Sequence, residues 1–171
     1  RTLQLDPEDV EHRITPRTRA IFPVHMNGLS APMDDLLEVA ARHPHDRHGP
    51  ISVIGDAARA CGGEYRGTKI GKKGLLTVFS FHTMKNMVTL GEGGMITTDD
   101  DDAAAFFRAT RFYGFGLDIW GSSYVMTKVQ AAVGLVQLRK LDSLVANRRR
   151  VALRRHELLA RLKGSYIRVP D

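Results

Sequence analysis

The chain has 171 residues, of which 43% are hydrophobic, so it can build one domain with a sizeable core, and no run of about 20 apolar residues indicates a membrane span. One cysteine, Cys61, excludes an internal disulfide framework and suits a reducing cytoplasm, where we expect the protein to reside. The net charge of +6 lies mainly in residues 139–163, which hold nine Lys or Arg residues and two acidic ones. No basic segment carries the interleaved aromatic residues that are typical of proteins that bind single-stranded nucleic acid.

The first half of the chain alternates helix and strand signals. Asp6 and Pro7 offer an N-cap and a proline at the first helical position, followed by acidic residues in the first turn. A second helix is predicted over residues 32–42, where apolar residues recur at helical spacing. On either side of this helix, the apolar runs 19–25 and 51–56 predict two buried strands.

The second half continues this alternation. Residues 75–81 and 93–99 are predicted strands, and the acidic run 99–102 caps the next helix. A further helix, at about 125–138, runs into a long amphipathic helix over residues 139–163. Strands that are apolar and alternate with helices predict an α/β fold, in which helices flank a mostly parallel sheet.

Two charged segments have ordinary structural interpretations. On helix 139–163, a solvated face or a contact with an acidic partner is expected, with phosphate-backbone binding as the weaker alternative. We therefore expect neither nucleic acid nor a membrane as a partner. The segment RHPHDRH contains four potential metal ligands, but its proline-containing loop favours a solvent-exposed turn, and no metal is expected. These potential ligands are His43, His45, Asp46 and His48.

Three polar residues follow apolar strands, at the sheet edge where parallel α/β folds bind ligands. They are Asp56, Ser80 and Lys85. Taken singly, Asp56 has the alternative role of a helix cap or turn former, and Lys85 that of a surface lysine. Together they match one chemistry, because a carboxylate can keep a pyridine nitrogen protonated while a lysine amine acts as a nucleophile.

The motifs that carry these residues resemble the DegT-type (StrS-type) sugar aminotransferases, which are pyridoxal-phosphate enzymes of the aspartate aminotransferase fold. The resemblance extends in order along essentially the whole chain. It implies pyridoxal 5'-phosphate as the cofactor and a position within the large domain of a fold type I enzyme. The segments concerned are IFPVHMNG, VIGDAARACGGEYRGTKIG, FSFHTMKN, GEGGM and MTKVQAAVGLVQLRKLDSLVANRR.

The resemblance also implies roles for individual residues. Lys85 matches the lysine that carries the cofactor covalently and then moves protons between cofactor and substrate, and it argues against the dehydratase branch, which has histidine there. Asp56 matches the acid paired with the pyridine nitrogen, and Ser80 the hydroxyl that binds the cofactor phosphate. His82, three residues before Lys85, either contacts cofactor or substrate or simply packs.

Three residues depart from the family pattern, and these are Arg59, Ser123 and Val125. Arg59 stands where the family commonly has a glutamine near the cofactor's phenolic oxygen, and the alternative is that it turns towards solvent or a carboxylate such as Glu64. Ser123-Tyr124-Val125 replaces Asn-Tyr-Arg, whose asparagine reaches the phosphate in the neighbouring subunit. Ser123 can still donate a hydrogen bond, whereas Val125 cannot replace arginine.

The resemblance sets the expected organisation and function. Residues 1–140 match the central part of the cofactor-binding domain, and residues 141–171 match a basic helix leading to a small domain, so the chain is expected to be an internal piece of a homodimeric enzyme. Its expected reaction transfers an amino group from an amino acid to a nucleotide-linked keto-sugar in amino-sugar biosynthesis. Glutamate is the expected amino donor. The 18 arginines against seven lysines indicate a GC-rich genome, and by association with such genomes we expect antibiotic-sugar biosynthesis. The alternative is a truncated or weakened relative acting as a binding or regulatory module.

Overall fold

Six strands and four helices make up the computed structural model, which describes residues 2–45, 47 and 49–161. The helices are α1 (Pro7–Arg13), α2 (Met33–Arg42), α3 (Asp101–Thr110) and α4 (Lys128–Ala160). The strands are β1 (Ala20–Ile21), β2 (Ser52–Asp56), β3 (Glu64–Tyr65), β4 (Thr68–Lys69), β5 (Leu76–Ser80) and β6 (Gly94–Thr97). A 3-10 turn at Met26–Gly28 follows β1.

The main sheet has the strand order β1-β2-β5-β6. Strands β1, β2 and β5 are parallel, and β6 runs antiparallel to β5 at the edge. The mostly parallel sheet with accompanying helices confirms the predicted fold class. Strands β3 and β4 form a separate antiparallel hairpin that the sequence did not indicate.

Strand β1 is shorter than the predicted run 19–25 because proline interrupts its ladder. Pro23 has no N–H to donate, although its carbonyl accepts a hydrogen bond of 2.9 Å from the Asp56 N–H. Beyond it, Val24 forms a parallel bridge to Asp56, and the His25 N–H donates to the Asp56 carbonyl at 2.9 Å. The segment therefore still follows β2 to its carboxyl end.

One face of β2 and β5 is buried, whereas the other face is buried at Leu76 and exposed further along β5 among the described residues. Helix α2 covers the buried face near Val53, and a second cluster around Phe79 extends to Leu141 of α4. On the opposite face, Val78 is 40% exposed and Ile96 is 41% exposed. The side chain of Asp56 shares this open face, because its register partner in β5 is Val78.

Helix α4 joins the two helices predicted at 125–138 and 139–163 into one. Its start is fixed by a capping box, in which Thr127 and Gln130 satisfy each other's backbone N–H groups. Gly134 faces Thr89 so closely that an added Cβ would lie 3.1 Å from its Cγ2. The last residues of the predicted helix lie outside the described part of the chain. Within that part, no helix is long and apolar enough to cross a membrane.

The histidine-rich loop gives no metal site in the part of the chain that the structure describes. His43 bonds to the Glu11 carboxylate at 2.9 Å, and the His45 ring accepts from the Arg47 N–H at 3.1 Å. Asp46 and His48 lie outside the described residues. Among the described ones, no group of three or more His, Cys, Asp or Glu residues is arranged to hold a metal ion.

Glu11 ties α1 to the end of α2, and this contact predicts a pH dependence of stability. Hydrogen bonds from Arg42 and then His43 lower the pKa of Glu11 from 4.5 to about 2. Because the folded-state pKa is depressed, the stabilisation is fully present above the unfolded-state pKa and is lost as pH falls from about 4.5 through about 2.

We therefore expect Glu11→Gln to be less stable than the parent near neutral pH, with the difference shrinking as the pH falls through this window. Urea denaturation at a series of pH values measures it. Glu8→Gln is the matched control, since Glu8 lies on the same helix and its side chain has no hydrogen bond or ion pair among the described residues. A difference between parent and Glu11→Gln that stays constant with pH would contradict this account.

Candidate active site

Asp56 ends β2 at the carboxyl edge of the sheet, as the sequence predicts. Its Oδ1 accepts a hydrogen bond of 2.9 Å from the Ala58 N–H and so stabilises the turn that follows. Its other carboxylate oxygen has no hydrogen-bond partner among the described residues. Asp56 therefore acts as a turn former, which is the alternative role that the sequence offered, and still has an acceptor oxygen for a ligand.

Ser80 ends the neighbouring strand β5 on the same face of the sheet. The register pairs Asp56 with Val78, and Ser80 follows two residues later, so their side chains point to the same side. The Ser80 hydroxyl oxygen accepts from the His82 N–H at 3.4 Å, which leaves its own O–H free to donate. A carboxylate and a hydroxyl donor thus lie together at the open face.

Lys85 lies in a tight turn that His82 organises. The Lys85 N–H donates to the His82 carbonyl at 2.9 Å, and the Met84 N–H donates to the His82 ring Nδ1 at 3.1 Å. The Thr83 N–H donates to the carbonyl of Gly91, whose φ of +119° favours glycine. Within the described part of the chain, the half-buried Lys85 side chain has no hydrogen bond or ion pair, so its amine is available.

The Lys85 side chain opens into a cleft of about 610 Å³. One wall comes from the turns after β1 and β2, another from the lysine turn, and a third from the middle of α4. The polar residues that line it are Asn27, Arg59, Lys85, Asn86, Arg148 and Arg149. This lining contains four cationic side chains and no carboxylate.

Arg59 lies in this cleft with Lys85 and does not turn to Glu64. Its Nη1 donates to the Asn27 side-chain oxygen at 3.3 Å, while Glu64 pairs with Lys69 at 2.9 Å. The carboxylate half of the alternative, pairing with Glu64, is therefore wrong, while the exposure of Arg59 leaves its solvent half open. A position beside the cofactor's phenolic oxygen stays a prediction.

Ser123 comes from a segment that none of the other predicted site residues shares. It is exposed in the loop between α3 and α4, where it forms a bridge with Phe112. It does not line the cleft of its own chain. This placement is compatible with a contact to another subunit, which is the role that the resemblance implies.

Four polar residues of the cleft were not singled out from the sequence, and these are Asn27, Asn86, Arg148 and Arg149. Asn86 directly follows the lysine, donates from Nδ2 to the Cys61 carbonyl at 3.2 Å and accepts a hydrogen bond from Arg148. Asn27 supports Arg59 in the same way. Asn86 could have been found from the sequence because it directly follows Lys85. Nothing in one sequence, however, indicates which arginine of α4 bonds to Asn86.

The chemistry of these donors fits pyridoxal phosphate. The free oxygen of Asp56 can accept from a protonated pyridine nitrogen, the Ser80 O–H can donate to a phosphate, and the unpaired Lys85 amine can react with an aldehyde. Each group is accessible at the carboxyl edge of the sheet, so the donor set needs no rearrangement of a competing hydrogen bond or ion pair.

Comparisons with known proteins agree with this fit. The chain is 48% identical over 170 residues to the GDP-perosamine synthase of Caulobacter vibrioides, covering 95% of this chain and 43% of that protein. DesV of S. venezuelae superimposes with a TM-score of 0.82 at 39% identity, over 98% of this chain and 45% of that one. Spr1654 of Streptococcus pneumoniae, a putative sugar aminotransferase in its PLP-form, gives 0.79 at 28% identity, over 90% and 44%.

These relatives confirm the fold class expected from the sequence, because solved members of the family share this architecture, and the PLP-form and PMP-form of Spr1654 agree with the expected cofactor. The chain spans less than half the length of these relatives. The model of the DegT/DnrJ/EryC1/StrS aminotransferase family matches residues 1–171, and the chain therefore belongs to that family.

Proposed function

We propose that the intact protein is an aminotransferase that uses pyridoxal phosphate to move an amino group from an amino acid to a keto-sugar. The observation that carries this proposal is the unpaired Lys85 amine in its cleft, together with Asp56 and Ser80, which end neighbouring strands on one face of the sheet and do not line that cleft. The names of the relatives support a sugar as substrate. Since the chain covers 43% of the first relative, the activity belongs to the longer protein.

When bound, the cofactor supplies an electron-accepting ring that stabilises charge at the carbon losing a proton. Lys85 would hold the cofactor covalently and, once displaced by the amino donor, carry that proton on its amine. Asp56 would keep the pyridine nitrogen protonated through its free oxygen. The Ser80 hydroxyl would donate to the phosphate, and the bonds from His82 would hold the lysine turn in place.

Finer assignments follow from the resemblance and the relatives. Glutamate is the proposed donor, and a nucleotide-linked keto-sugar is the proposed acceptor, in line with the GDP in the name of the Caulobacter relative. We place the enzyme in the cytoplasm and, from its composition, in antibiotic-sugar biosynthesis. Residues 1–140 would form the central part of the cofactor-binding domain, and residues 141–171 the helix to a small domain.

A binding or regulatory module is the second candidate. It is motivated by Ser123 and Val125, which replace the family's asparagine and arginine, but the comparisons do not favour it. The visible absorption spectrum of the intact protein with added pyridoxal phosphate separates the two. An absorption band of protein-bound cofactor supports the enzyme, and its absence supports the module.

A homodimer is the proposed assembly, supported by an aromatic surface on the loop between α3 and α4. Five of its aromatic rings are 52–80% exposed: Phe112, Tyr113, Phe115, Trp120 and Tyr124. So large an apolar patch is typical of a protein–protein interface. Light scattering of the intact protein should give the dimer mass, and Trp120→Ser should shift it towards the monomer. Phe22→Ser, which removes an exposed ring outside the loop, is the control.

The covalent role of Lys85 gives a direct test. Borohydride reduction of the intact protein loaded with pyridoxal phosphate should fix the cofactor to the peptide that contains Lys85, because only an amine that has condensed with the aldehyde is reduced onto it. Mass spectrometry of the digest identifies the labelled peptide. Lys85→Ala should lose the label and abolish transamination, while Lys72→Ala, which removes an exposed lysine, should retain both. Label on another lysine would overturn the assignment.

The electronic role of Asp56 is tested by Asp56→Asn. The amide is nearly isosteric but carries no charge, so the pyridine nitrogen should lose its proton and the rate should fall by several orders of magnitude, with little change in folding. Steady-state kinetics and circular dichroism of the intact protein measure the two effects. Near-normal turnover in the folded variant would show that Asp56 serves only the turn at Ala58.

A further inference from the structure

Two arginines of the cleft are held by neutral amides. The Arg59 guanidinium donates to the Asn27 side-chain oxygen, and the Arg148 guanidinium donates to the Asn86 side-chain oxygen. In the part of the chain that the structure describes, neither makes an ion pair. An amide fixes the direction of a guanidinium but leaves its positive charge uncompensated.

The other arginines behave differently. Among the described residues, every other guanidinium with a side-chain hydrogen bond donates to a carboxylate, and these are Arg13, Arg42, Arg66 and Arg154. The two guanidiniums that bond to a neutral amide both line the cleft that Lys85 shares. Arg149 lies in the same lining and has no hydrogen bond or ion pair among the described residues.

The setting suits an anion of more than one charge. Three guanidiniums and one lysine line the cleft without a carboxylate, and like charges in a concave site raise the local concentration of anions. Each guanidinium has five N–H donors, so the bonds to Asn27 and Asn86 leave donors for a ligand. The forked donors of arginine match phosphate oxygens, and a volume of about 610 Å³ is typical of small-molecule sites.

We propose that Arg59 and Arg148 form a phosphate-binding pair beside Lys85. Arg59 comes from the turn after β2 and Arg148 from α4, so the site joins two separate segments of the fold. The identity of the ligand rests on the proposed function, in which the phosphate belongs either to the nucleotide-linked acceptor or to the cofactor. The binding of phosphate itself does not depend on turnover.

Asn86 connects this pair to the reactive lysine. It is the residue after Lys85, it orients Arg148 through its side-chain oxygen, and its Nδ2 donates to the carbonyl of Cys61, two residues after Arg59. A phosphate bound at Arg148 is therefore connected to the lysine through Asn86, which follows Lys85 in the chain and orients the Arg148 guanidinium. This places a charged part of the ligand at a fixed point relative to the group that reacts.

Calorimetric titration of the intact protein with inorganic pyrophosphate at low salt tests the pair. Because a hydrogen bond to a charged group contributes about 1.5–3 kcal/mol, Arg59→Gln and Arg148→Gln should each weaken binding by about tenfold or more. Arg150→Gln removes the same charge from α4 outside the cleft and should change the affinity by less than about twofold. Arg148→Lys, which keeps the charge without the fork, should give an intermediate affinity and covers the case in which Arg148→Gln does not fold.

The source of the phosphate follows from repeating the titration after loading with cofactor. If pyrophosphate and a nucleoside diphosphate still bind the loaded protein, and Arg148→Gln lowers their affinity by the same factor as before, the site binds the phosphates of the acceptor. Binding that pyridoxal phosphate blocks and pyridoxal does not block identifies the cofactor phosphate. Affinity that is unchanged in both glutamine variants, or lost equally in Arg150→Gln, overturns the pair. Cofactor loading, followed by absorbance, reports separately on the proposed function.

Discussion

The parallel pairing of β2 with β5 is the constraint on which the candidate site depends. Side chains alternate between the faces of a strand, so a shift of one residue in this register would move Ser80 to the face opposite Asp56. The buried side of the same strands fixes the register, because Val53 and Phe79 belong to the core and cannot exchange places with exposed positions. Core packing on one face thus determines the chemistry on the other.

Much of this arrangement could be predicted from the sequence because its signals are local. Apolar runs located β2 and β5, the Asp6-Pro7 pair located the start of α1, and polar residues after strands located Asp56 and Lys85. The residues after an apolar parallel strand come to one edge in any α/β sheet, so the cluster needed no knowledge of side-chain contacts. The resemblance to a known family then assigned roles that spacing alone left open.

The remaining features depend on contacts between distant segments. Asn86 and Arg148 are 62 residues apart and Asn27 and Arg59 are 32 apart, and no periodicity in one sequence pairs them. The hairpin of β3 and β4 has strands of two residues, too short for an alternating pattern. The sequence divided α4 near residue 138, whereas the structure continues one helix over Lys128–Ala160, in which Gly134 packs closely against Thr89, a contact between distant segments that one sequence does not indicate.

Strand β6 has a further consequence for how the chain behaves in solution. It pairs with β5 on one side, and its other edge has no strand partner among the described residues. Its residues Gly94–Thr97 include neither a lysine nor a proline, the usual devices that prevent strand addition. The N–H and C=O groups of this edge are a template for another extended segment, and the longer protein to which the chain's relatives correspond can supply it.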